Sequence, residues 1–169
     1  MKKQNWNLLV FILSFTLAVI FSFLTNILSN NSSDIFIILI ILIVIMIGII
    51  FDMIGVAVLT AKESTFHAMS SKKIKGAKKA TKLIKNNVKV ASFCNDIVGD
   101  VCGIVSGGLG TVLAISISDY LGITLATIII SAIISSLTVT GKAIFKNVAV
   151  KKADNILFMF SKILSIFSK

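Results

Sequence analysis

A chain of 169 residues that is 56% hydrophobic, with a mean hydropathy of +1.00, carries more apolar surface than a water-soluble domain of this size buries. The net charge of +10 comes from 17 lysines and no arginine. The lysines flank apolar runs, without interleaved aromatics or any nucleic-acid motif, so the composition points to an integral membrane domain and argues against nucleic acid as a partner.

In chain order, the first apolar run covers about 7–28. Lys2 and Lys3 give it the basic start of a signal peptide, but the run is longer than a usual signal core and no A-x-A-like site follows. It is expected to stay as a helix. The second run covers 35–61, the third 90–117 and the fourth 121–139. At about 1.5 Å per residue, each spans about 30 Å of hydrocarbon as a helix. Continuous apolar character favours helices over barrel strands. The expected fold class is therefore all-α and integral to the membrane, with about four transmembrane helices plus basic amphipathic juxtamembrane helices.

Lysine placement gives an expected topology. Lys2 and Lys3 precede the first run. Lys62, Lys72, Lys73, Lys75, Lys78, Lys79, Lys82, Lys85 and Lys89 lie between the second and third, and Lys142, Lys146, Lys151, Lys152, Lys162 and Lys169 follow the fourth. The other two loops, 29–34 and 118–120, carry an aspartate each and no lysine. The positive-inside rule then puts both termini and the basic connection in the cytoplasm of a multi-pass plasma-membrane protein. The short outer loops make the first and second helices, and the third and fourth, expected antiparallel neighbours.

The basic connection 62–89 repeats Ile74, Ala77, Ala80, Ile84 and Val88 at helical spacing. The tail 143–169 does the same with Ile156, Phe160, Ile163 and Phe167. Both read as amphipathic helices at the cytoplasmic membrane surface, with anionic lipid as their partner.

The third run holds the groups that a bilayer tolerates least, Asn95, Asp96 and Asp100. An aspartate at membrane depth costs roughly 2.5–3.5 kcal/mol on insertion scales. Asp96, Asp100, Gly103, Gly107 and Gly110 recur on one helical face, with Asn95, Gly99, Cys102 and Ser106 beside them. The glycines suit close helix packing. Gly48, Asp52 and Gly55 share a face in the second run, and Ser131, Ser135 and Thr138 share one in the fourth. Carboxylate, carboxamide and hydroxyl oxygens are what a hard divalent cation takes as ligands. Lysine is absent from the apolar interiors, so no cationic partner for the acids is expected. Asp96 follows Lys89 by only about 10 Å of helix and Asp52 stands toward the cytoplasmic end of its run, so the alternative setting is a wet vestibule in which these are interfacial acids balancing nearby lysines.

Cys94 and Cys102 stand about 12 Å apart on one helix, too far for a disulfide, and read as packing residues. His67 is the sole histidine, and no Ser-His-Asp or Cys-His arrangement accompanies it, so no enzyme is expected.

The order of helix, basic connection, helix with an early Asn, helix and Lys-led tail resembles the transmembrane domain of the CNNM/CorB/CorC magnesium transporters over about 35–164. Phe51-Asp52-Met53-Ile54-Gly55-Val56-Ala57 is similar to that family's F-S-x-S-E-T-A stretch. Lys75-Gly76-Ala77-Lys78-Lys79-Ala80-Thr81-Lys82-Leu83-Ile84 is similar to its G-x-x-A-K-x-A-x-K-L helix, and Cys94-Asn95-Asp96 to its Gly-Asn-Thr. Asp100 falls where a second Asn is common. Leu137-Thr138-Val139-Thr140-Gly141-Lys142 resembles its G-E-x-x-P-K end.

The resemblance implies a CNNM-like domain over 35–142, an extra N-terminal helix and outer loop in 1–34, a cytoplasmic basic helix in 62–89 and a basic tail in 143–169. It also implies a homodimer and a magnesium ion held in the membrane by a Ser, an Asn and a Glu, with no organic cofactor. Only the Asn carries over, as Asn95. Ile54 stands at the Ser, Gly55 at the adjacent Glu, Thr138 at the later Glu and Gly141 at the Pro, and no CBS-pair module is expected in the chain. The candidate metal ligands are accordingly Asn95, Asp96, Asp100, Asp52 and Thr138, with the aspartates as replacements for the missing Ser and Glu. The alternative is a non-transporting scaffold or regulator with a degenerate ion site.

Overall fold

The computed structural model describes residues 3–30, 33–121 and 124–167, which form helices joined by short turns, with no strand among them. In chain order these are α1 (Lys3–Asn30), α2 (Asp34–Thr60), α3 (Glu63–Ser71), α4 (Ala77–Lys85) and α5 (Asn87–Ser92). A π-helical segment, Phe93–Gly99, leads into α6 (Asp100–Leu121), followed by α7 (Thr124–Lys151) and α8 (Ala153–Phe167). Four stretches are long and apolar enough to cross a membrane: Trp6–Leu24, Asp34–Thr60, Asn87–Asp119 and Thr127–Lys151. The fourth outruns the apolar run 121–139. The chain contains no proline to stop it, so α7 stays helical through Lys142 and Lys146 to Lys151.

The chain divides into two compact units, 1–49 with 97–141 and 50–96 with 142–169. In the first, Ile37, Ile41, Val44, Ile45 and Ile49 recur along one face of α2 and are buried. Val101, Val105, Leu109, Leu113 and Ala114 do the same on α6. The two helices meet where Gly48 opens onto Cys102, and Ser116 near the end of α6 donates a 3.0 Å hydrogen bond to Asp34 at the start of α2. They are therefore antiparallel. Gly110 of α6 packs on Ile134 of α7, as expected for that hairpin, while α1 packs along α6. Leu8, Phe11, Phe15 and Val19 of α1, Leu39, Leu42 and Ile43 of α2, and Ile128, Ile129 and Ile133 of α7 are exposed. In water so much apolar surface would drive association; in a bilayer it meets acyl chains.

The second unit is built on Ile54, Val58, Phe66, Ala80, Ile84, Cys94 and Leu157. The basic helix α4 buries Ala77, Ala80, Thr81 and Ile84 against this core, packing on α3 and α8. Its apolar face, expected to rest on lipid, is thus filled by protein; only Ile74 and Val88 at the ends of the pattern stay exposed. In α8 the buried stripe is Ala153, Leu157 and Ser161, one position round from the expected one, and Ile163 remains 48% exposed. The side chain of Phe167 lies outside the described residues. Asp154 ties α8 to α3: the Lys62 N–H donates to Oδ1 at 2.8 Å and the Thr65 hydroxyl to Oδ2 at 3.1 Å. These donors belong to the start of α3, where backbone N–H groups lack partners within the helix. Gly76 begins α4 with φ of 95°, a conformation that favours glycine, and a side chain there would begin 3.1 Å from the Lys162 Cα.

Candidate functional site

Asn95 sits in the π-helical segment of the second unit, and its carboxamide lies against Gly55 of α2. A Cβ at Gly55 would stand 1.9 Å from Asn95 Oδ1 and 3.1 Å from its Nδ2, so glycine is what leaves room for this side chain. Within that cradle Oδ1 is buried and accepts no hydrogen bond. Leaving a buried acceptor unsatisfied costs about 1–3 kcal/mol, so the cradle holds an oxygen in need of a donor or a cation.

Asp52 lies one turn before Gly55 on α2, on the same face. It forms an ion pair with Lys142 at 3.5 Å, with side-chain exposures of 14% for Asp52 and 22% for Lys142. For Asp52 this matches the alternative of an interfacial acid balanced by a nearby lysine: α7 extends far enough to bring Lys142 to it. Asp96 is exposed and accepts a 2.7 Å hydrogen bond from the Ser92 hydroxyl one turn earlier.

Asp100 and Thr138 belong to the other unit. Asp100 is exposed at the start of α6. Thr138 is half-buried, and its hydroxyl donates at 2.9 Å to the Ile134 carbonyl in its own helix, leaving its lone pairs as acceptors. The acids therefore mark the exposed side of the third span. Its buried polar side is the neighbouring one, with Gly99, Cys102 and Ser106 buried and the Asn95 oxygen enclosed. Among the described residues no three His, Cys, Asp or Glu side chains converge as a metal site. A cation held here would take carboxamide, hydroxyl or backbone oxygens and water as most of its ligands.

Two features had no direct sequence signal, the Gly55 cradle and the Asp52–Lys142 pair, since each joins residues remote in the chain. Gly55 was visible as a small residue on the Gly48–Asp52 face and as a departure from the F-S-x-S-E-T-A pattern, with nothing to connect it to Asn95.

A family model described as the cyclin M transmembrane N-terminal domain matches residues 35–169. The chain belongs to the CNNM family. The match takes in both units, the cradle and the basic tail, while the first span, Trp6–Leu24, precedes it. No curated protein and no solved structure matches the chain. As a CNNM-family domain with membrane-crossing helices, the chain is a membrane protein.

Proposed function

We propose that this CNNM-family protein binds and moves a divalent cation, magnesium, across the plasma membrane, with its lysine-rich connection and both termini in the cytoplasm. The observation that carries the reading is the buried, unpartnered Asn95 oxygen in the Gly55 cradle. Magnesium is cargo here, and Asn95 is its primary contact. Such an ion favours oxygen ligands, and this oxygen becomes one when the cradle opens to admit it. Asp96 and Asp100 would add negative charge along the exposed side of the same span, drawing cations to it. Asp52 would serve only once Lys142 releases it.

One observation favours the alternative, a non-transporting membrane scaffold or regulator with a degenerate ion site. The carboxylate nearest in sequence to Gly55 is already neutralised by Lys142. Magnesium flux into proteoliposomes, followed with an entrapped fluorescent indicator, separates the two. Transport requires flux that falls when Asn95→Ala or Asp96→Asn/Asp100→Asn is introduced. Absence of flux in the unaltered protein supports the scaffold reading, and flux indifferent to these substitutions overturns the assignment of these residues.

A further inference from the structure

The second unit holds a concave surface apart from the Asn95 cradle, lined by Thr60, Lys62, Lys151, Lys152, Asp154 and Asn155 among others. Three lysines face one aspartate there. That carboxylate is already engaged, since its two oxygens accept the Lys62 N–H and the Thr65 hydroxyl. The lining is therefore net cationic.

Thr60 and Lys151 are the last residues of the second and fourth stretches long and apolar enough to cross a membrane, so the hollow lies on the side of the membrane where both end. Anionic headgroups on that side are the nearest source of a lipid phosphate. We infer that this hollow is a specific site for the phosphate of an anionic phospholipid, held by Lys62, Lys151 and Lys152. The site is independent of cation transport and narrower than a diffuse attraction of all basic residues to the membrane. Lysines on the exposed side of α4, such as Lys78, Lys82 and Lys85, do not line it.

Native mass spectrometry of the delipidated full chain in neutral detergent, titrated with phosphatidylglycerol or phosphatidylcholine, tests this. The expected result is a discrete phosphatidylglycerol adduct, absent with phosphatidylcholine. The adduct weakens at least about tenfold in Lys62→Gln/Lys151→Gln/Lys152→Gln and less than twofold, roughly, in Lys78→Gln/Lys82→Gln/Lys85→Gln, which removes equal charge. The single variant Lys151→Gln, a surface change, should show an intermediate loss. Equal weakening in both triple variants would reduce the site to general electrostatics and overturn the proposal. So would an adduct insensitive to all of them. Binding of millimolar inorganic phosphate that displaces phosphatidylglycerol would also overturn it, by making a soluble anion the ligand. Magnesium flux does not enter this readout, so the two proposals stand or fall separately.

Discussion

Gly55 and Asn95 form the closest-fitting pair in the candidate site, and a single methyl group tests them. Gly55→Ala places a carbon 1.9 Å from the Asn95 oxygen and must displace the carboxamide. We expect a loss of about 1–3 kcal/mol in unfolding free energy, read by thermal or denaturant melting in detergent, together with loss of magnesium binding. Gly107→Ala is the control: a side chain there meets nothing within 4 Å, and the alanine should be neutral or stabilising by up to about 1 kcal/mol. The Asp52–Lys142 pair gives a second test. Lys142→Met strands a largely buried carboxylate and should cost about 3 kcal/mol, whereas adding Asp52→Asn should recover most of that loss in a double-mutant cycle. If the double variant is no better than the single, the pair is not what holds these side chains.

The helices themselves divide by how much of their origin is written in local sequence. The spans follow from long apolar runs free of proline, and α4 from a three- and four-residue repeat, so both were legible. What the α4 face meets was not. A repeat of Ala77, Ala80 and Ile84 suits lipid and protein equally, and the choice rests on α8, whose Leu157 comes from the far end of the chain. The π-helical winding of Phe93–Gly99 has no composition signal. Asp154 illustrates the same limit: an acid in the first turn of α8 reads as that helix's own N-terminal charge, yet its oxygens serve the start of α3. Asp154→Ala should therefore cost about 1–2 kcal/mol and speed amide exchange at 62–66, not only within α8. Exchange unchanged at α3 would remove Asp154 from that role.

For the protein taken whole, membership of the CNNM family and four stretches, among the described residues, long and apolar enough to cross a membrane account for its composition, and the proposed orientation rests on the lysine distribution. A cysteine placed at Ser33 should react with an impermeant maleimide added outside intact cells, and one at Lys78 only after the membrane is opened; the reverse pattern would invert the topology. Native Cys94 and Cys102 are buried and give little background. The site was legible in part. Asn95 stands out in sequence as an amide within an apolar run, in a Cys94-Asn95-Asp96 stretch similar to a Gly-Asn-Thr motif, whereas the oxygen's lack of a partner is visible only once α2 and the third span are folded together. That orphan oxygen is the centre of the functional account, and calorimetry addresses it without requiring transport. Titration of the purified protein with magnesium should show saturable binding that disappears in Asn95→Leu, which keeps the side-chain volume, while the melting temperature is held or raised. An unaltered protein with no saturable binding, or an Asn95→Leu variant that binds magnesium as before, would contradict the account.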